Sequence, residues 1–439
     1  MKNQEIKKDN RSISRPYLIF AIIFGILAAV VIILIIGSGI APQRAAPSVN
    51  PYYSENVNYP PRGTEKVGLI VLLIAVFVYL LTDSLFAFRW RGWKKSVYVV
   101  IWILLIVGSM EYAMGAHVRK HPPLHRPHPA YLWELFPGHE GTTDVGGFTC
   151  KLKVNGHGFR GDEVSKKKPA DTFRIMILGD SSAFGYGVNQ NEVFANVLGE
   201  KLGRKYRERK IEVINAAVPG YTTFSTLIFF RGKGVGFDPD AIIISHNNDP
   251  DFDWDEDKNR ASQGYIQPLL RLFYRSNIYM CLRREILNAK YRKKPHLYES
   301  VPEDRGVHRV SAVDFRENLN SIMDIANDRG MKILVISMPR KAEEFEDSEN
   351  DIVDDNKDIL IEEEDTELYQ YRKIMKEVTE EKGGIFLDLL RKWHDLPADP
   401  LFLDDMHPTV YGHEKISNEL LIEIERVRWI QDKKASNSR

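Results

Sequence analysis

Five short apolar runs limit what this chain can fold into more than any other feature. They fall at 173–178, 211–218, 240–245, 332–337 and 384–388, and turn-forming pairs follow the first two, Gly179-Asp180 and Pro219-Gly220. Runs of this length, bounded by turn residues, read as buried strands. Between them, apolar residues recur at helical spacing over 193–206, from Thr223, over 315–328 up to Gly330, over 369–381 and over 410–428. Alternating strand and helix predict an α/β domain, about 148–432, with a parallel five-stranded sheet covered on both faces and a polar tail at 433–439. Ligands on such sheets bind beyond the carboxyl ends of the strands. Chemistry is therefore expected there. Composition agrees: 44% hydrophobic and 27% charged residues exclude wholesale disorder, and two cysteines exclude a disulfide scaffold.

The first predicted strand delivers Gly179, Asp180 and Ser181, and the second leads through Asn215 to Gly220. The third ends at His246, Asn247, Asn248 and Asp249, and after the fifth come Asp404 and His407. A serine in a strand-to-helix turn has an exposed hydroxyl beside a backbone N–H. Gly220 lets the backbone approach a ligand with no Cβ in the way. Asn248 offers a neutral amide donor to a developing oxyanion. Asp404, three residues before His407, is placed to accept the imidazole Nδ1–H and turn Nε2 toward Ser181. Singly, each has an ordinary reading as a helix cap, turn residue or structural histidine. Jointly, at four strand ends, they favour catalysis. His413 is expected on a helix surface.

Taken in order, Gly-Asp-Ser, the isolated Gly220, Asn-Asp and Asp-x-x-His resemble the four blocks of the SGNH (GDSL-type) hydrolase family over about 150–430. The lead-in at 155–161, Asn-Gly-His-Gly-Phe-Arg-Gly, is similar to the approach to the first strand in membrane-linked bacterial members. The resemblance implies a three-layer α/β/α flavodoxin-like fold and a serine hydrolase acting on acyl esters without metal or cofactor. It implies Ser181 as nucleophile, His407 as general base and Asp404 as its orienting partner. Ser181 N–H, Gly220 N–H and the Asn248 side chain would form the oxyanion hole. His246 departs from the family pattern, which has Gly there, and leaves the register between Asn247 and Asn248 open; the following Asp249 favours Asn248. Two alternatives accompany the esterase: an O-acyltransferase on envelope glycans using the same triad, and a non-catalytic, membrane-tethered binding protein.

The net charge of zero is a cancellation. Residues 1–120 carry 14 Lys+Arg and 6 Asp+Glu, and the remainder carries the opposite excess. Within that basic part, apolar runs at about 17–36, 67–86 and 97–114 approach the ~20 residues of a transmembrane helix. They predict a three-span membrane anchor over 1–116, the first run being too long for a signal peptide despite the small residues near 41–46. Basic residues before the first span (Lys2, Lys7, Lys8, Arg11, Arg15) and between the second and third (Arg89, Arg91, Lys94, Lys95) place both inside. The domain after the third span is then extracytoplasmic, where acylated glycan or lipid is the expected substrate and nucleic acid is not. Asp83 and Glu111, near span ends, are expected to act at the interface.

A Pro/His-rich stretch at 117–147 reads as an exposed juxtamembrane linker, because irregular spacing and prolines oppose alignment of its histidines on a metal. The alternating acids from Asp249 to Asp257 lack the glycine and closing glutamate of a calcium loop and read as a solvated loop. Residues 261–303 are expected to form helices bordering the cleft. The run at 343–365, with 13 acids and one lysine, reads as a mobile surface loop. Cys150 and Cys281 both fall in the predicted external part, where pairing is open.

Overall fold

A computed structural model of the chain describes residues 59–85, 92–145, 148–261, 266–292, 301, 305–340, 367–393, 396–397 and 400–430. The expected span at 17–36, the acidic run at 343–365 and the tail at 433–439 lie outside these residues.

Five strands, β1 (Thr172–Gly179), β2 (Lys210–Asn215), β3 (Ala241–Ser245), β4 (Lys332–Ser337) and β5 (Ile385–Asp388), form one parallel sheet in the order β5-β4-β3-β1-β2. Every residue of β1 and β3 is buried, which is why these strands are continuous apolar runs rather than alternating ones. The helices Phe194–Lys205 and Val410–Arg426 pack on each other, as do Thr223–Gly232, Ala312–Asn327 and Glu367–Glu381. Right-handed crossovers distribute such helices over both faces of a parallel sheet. The sheet order reverses direction between β1 and β3, the switch point at which such sheets bind their ligands. The two strands approach so closely that a Cβ on Gly179 would clash with the Ser245 carbonyl oxygen.

The chain divides into two compact units, one containing Pro122–Arg271 and the chain from Pro295 onward, the other Val57–His121 and Leu272–Lys294. The stretch at 117–147 is not an exposed linker. Its first four residues continue the helix Trp93–Lys120, which Pro122 and Pro123 stop. Beyond them, His125–His128 pairs antiparallel with Leu132–Leu135, and Glu140–Val145 with Phe148–Lys153. Trp133 and Leu135 belong to the main core, and His139 is tied through Nδ1 to the Pro122 carbonyl at 2.8 Å. Long-range burial, invisible to local composition, overrides the proline signal.

In the other unit, the expected spans at 67–86 and 97–114 are the helices Thr64–Leu85 and Trp93–Lys120, both long and apolar enough to cross a membrane. They share a small core of Leu72, Ile106, Met110 and Met114 with Cys281. The helix Asn277–Arg292 belongs to this unit. Glu111 holds its amino-terminal end, accepting from the Asn277 side chain at 2.8 Å, Ser276 Oγ at 3.0 Å and the Ile278 N–H at 3.2 Å. Cys150 and Cys281 are both buried free thiols.

Candidate active site

β1 ends in a turn built around Asp180, whose carboxylate caps the one-turn helix Ser181–Phe184. Asp180 Oδ1 accepts from the Ser182 N–H at 3.0 Å, and Oδ2 accepts from the Asn247 N–H at 2.6 Å. The same side chain therefore shapes the Ser181 turn and pins the loop after β3. Burial pushes the fully enclosed Asp180 carboxyl upward, against the pull of those two N–H groups. The turn is braced from outside by the lead-in motif. Arg160, 2% exposed, donates to the carbonyls of Phe184 at 3.0 Å, Gly185 at 2.5 Å and Val188 at 2.6 Å. Burial lowers its pKa to about 10, still well above neutrality, so it holds these three carbonyls as a cation.

Asp404 and His407 occupy a tight turn, and their three-residue spacing has a structural reason. Asp404 Oδ1 accepts from the backbone N–H groups of Met406 at 3.0 Å and His407 at 2.8 Å, closing the turn. This leaves Oδ2 for the His407 ring, with Nδ1 at 2.7 Å. The opposite ring nitrogen, Nε2, lies 2.9 Å from Ser181 Oγ. Ser182 Oγ donates to the Met406 carbonyl at 3.1 Å, so the two turns are latched one residue away from the Ser181–His407 contact on each side. Partial burial would raise the Asp404 carboxyl; the His407 ring and the two N–H groups outweigh it and hold its pKa at about 2. Asp404 is therefore ionised at neutral pH.

Gly220 has φ +76°, a left-handed conformation that favours glycine. Asn248 is 6% exposed, and its Nδ2 reaches the Tyr221 carbonyl at 3.4 Å, which places the amide beside the Gly220 turn. Asn247 is used differently: its N–H goes to Asp180 and its carbonyl accepts from Arg340 Nη2 at 2.9 Å. The His246 imidazole is buried 4.0 Å from Asp249 and burial lowers it to about 3, so it packs as a neutral ring. Ser181, His407 and Asp404 thus stand in one hydrogen-bonded line, and Gly220 and Asn248 meet each other at Tyr221.

Two expectations change here. Three of the acids after β3 are not solvated: Asp249, Asp253 and Asp257 are each at most 2% exposed, while Asp255 is exposed. Asp257 pairs with Arg309 at 2.9 Å, Asp253 pairs with Arg260, and Asp249 accepts from the Thr223 N–H at 2.8 Å. Burial pushes Asp249 up to about 8 despite its Thr223 bonds. His413 is fully buried rather than on a surface. Its ring stacks on Phe194 at 5.8 Å, and burial lowers it to about 3. Among the described residues, no group of three or more His, Cys, Asp or Glu is arranged to hold a metal ion. Trp133 and Arg309, both touching the Gly220 turn, had no strand-end signal to reveal them.

A family model described as the GDSL-like lipase/acylhydrolase family matches residues 177–415. Among solved structures, a lipase/acylhydrolase from Enterococcus faecalis is 18% identical, with a TM-score of 0.35 over 58% of this chain and 96% of that one. An α/β hydrolase from the metagenome of Lake Arreo is 15% identical, with a TM-score of 0.36 over 57% and 94%. A mutant of an acetylxylan esterase from Geobacillus stearothermophilus is 16% identical, with a TM-score of 0.36 over 60% and 97%. Likenesses this distant carry no inference of their own. No curated protein sequence matches the chain.

Proposed function

The chain belongs to the GDSL-like lipase/acylhydrolase family, and on that premise we propose that it is a membrane-anchored serine esterase whose Ser181, His407 and Asp404 work as a triad. The observation that carries this reading is the continuous line from Ser181 Oγ to His407 Nε2 at 2.9 Å and from Nδ1 to Asp404 Oδ2 at 2.7 Å. In it, His407 takes the Oγ proton as the hydroxyl attacks an ester carbonyl. The tetrahedral oxyanion is held by the N–H groups of Ser181 and Gly220 and by Asn248 Nδ2, each such donor contributing ~2.7–4 kcal/mol. His407 then protonates the leaving alcohol. A second attack by water, deprotonated by the same ring, releases the acid from the acyl-enzyme.

The anchor is supported by exposed apolar faces on the two long helices, where Leu73 is 61%, Phe77 66% and Leu104 67% exposed. A core helix of a soluble domain would cover such residues, whereas lipid accepts them. The basic bias of the amino-terminal part puts the catalytic domain on the extracytoplasmic side, facing envelope glycan or lipid esters. Purified full-length chain is expected to hydrolyse a short-chain p-nitrophenyl ester, with Ser181→Ala abolishing turnover. Transfer of the acyl group to an added glycan faster than to water would make the protein an O-acyltransferase. Wild-type turnover no faster than Ser181→Ala would overturn the esterase reading. A cysteine placed after the second described helix that reacts with an impermeant thiol reagent only after permeabilisation would overturn the external placement.

A further inference from the structure

The two carbonyls on either side of the Gly220 N–H are each gripped by a buried side chain. Trp133 Nε1 donates to the Pro219 carbonyl at 3.0 Å, and Arg309 Nη2 donates to the Gly220 carbonyl at 2.7 Å. The grips are joined, because the Arg309 guanidinium carbon lies 5.9 Å from the centroid of the Trp133 ring. Both are held from behind. Tyr221 Oη donates to the Trp133 carbonyl at 2.7 Å, so residue 133 and the 219–221 turn bind each other reciprocally. Asp257 accepts from Arg309 at 2.9 Å and from Thr222 Oγ1 at 2.8 Å, which anchors the guanidinium to the same turn.

The peptide between Pro219 and Gly220 is trans. A planar trans peptide carries its C=O and N–H on opposite edges, pointing in opposite directions. Holding the Pro219 carbonyl against the indole therefore aims the Gly220 N–H to the other side of the plane. Glycine's soft backbone would otherwise let that peptide rotate. We propose that Trp133 and Arg309 are positioning residues that aim the Gly220 N–H as an oxyanion-hole donor. The inference rests on the serine-esterase reading above. It also assigns a use to the buried acids after β3: Asp257 holds the arginine that holds the turn.

The test is the rate at which a fluorophosphonate phosphonylates Ser181 in the full-length chain. In that step Ser181 Oγ bonds to phosphorus, the P–F bond breaks, fluoride leaves, and the Oγ proton passes to His407. Its phosphonyl oxygen uses the same donors as an ester oxyanion. Removing a whole donor costs ~10²–10³-fold, so loosening one grip on it is expected to cost roughly 10-fold. Trp133→Phe keeps a six-membered aromatic ring and deletes the pyrrole edge that carries the N–H. It is expected to slow labelling and lower kcat for p-nitrophenyl butyrate by that factor, with KM within about twofold of wild type. In a Gly220→Ala background the same substitution is expected to add nothing, since both act through one donor. Tyr221→Phe, which removes the reciprocal bond, is expected to move kcat in the same direction and serves should Trp133→Phe fold poorly. Labelling at the wild-type rate in Trp133→Phe and Tyr221→Phe, or an equal loss in the Gly220→Ala background, overturns this inference alone. A wild-type chain that is not labelled at Ser181 overturns the esterase reading and this inference with it.

Discussion

Asp404→Asn separates the orienting role of Asp404 from its role in the turn. Oδ1 closes the turn with two backbone N–H groups, and Oδ2 faces His407 Nδ1 at 2.7 Å. An asparagine keeps the first function, its single carbonyl oxygen accepting both N–H groups. Its NH2 then faces Nδ1, which must become an acceptor, so the ring proton moves to Nε2. Nε2 would donate toward Ser181 Oγ instead of accepting from it, and the general base is lost. In a fully buried triad this tautomer error costs ~10⁴-fold in kcat. Here the Asp404 side chain is 52% exposed. Water competes for Nδ1 and restores some of the useful tautomer, so the expected loss is ~10²–10³-fold, or about 2.7–4.1 kcal/mol in the barrier. Steady-state hydrolysis of a p-nitrophenyl ester measures it, with thermal melting as the control. Asp404→Ala should lose similar activity and also lower the melting temperature, because it opens the turn. Asp404→Asn within threefold of wild-type kcat would refute the reasoning, as would an Asn variant that melts like the Ala variant.

Three further outcomes follow from the same geometry. Arg160→Met should lower stability by about 2–4 kcal/mol in a denaturant titration, since three carbonyls of the Ser181 turn lose their shared donor. Gly220→Ala should cost ~1–2 kcal/mol of stability for its φ of +76°, and should lower kcat more than it raises KM. Asp249 titrates at about 8 in the fold against 3.8 as its ordinary value, so its contribution is fully present below 3.8 and lost as pH rises to about 8. Melts between pH 5 and 8 should therefore fall more steeply for wild type than for Asp249→Asn.

The strands, the helices between them and the motifs at their ends were legible because each is a local signal. Apolar runs mark β1 to β5, and Asp404 and His407 make their own turn from four consecutive residues. What stayed illegible depends on partners distant in sequence. Asp249 and Asp257 read as solvated because their partners are distant in sequence: Thr223 lies before the third strand, and Arg309 comes some fifty residues after Asp257. Trp133 sits among prolines and histidines, and its burial is decided by a loop beyond residue 215. His413 was the avoidable miss: with Ile416, Ser417, Leu420 and Ile424 it continues the buried face of its helix at 3.6-residue spacing.

The central claim is that Ser181 is the nucleophile, and peptide mapping of the fluorophosphonate-treated full-length chain addresses it most directly. One phosphonyl group per chain on the peptide containing Ser181, absent from His407→Ala under the same exposure, is the expected result. An unlabelled chain, or label on another residue with Ser181 intact, would contradict the account.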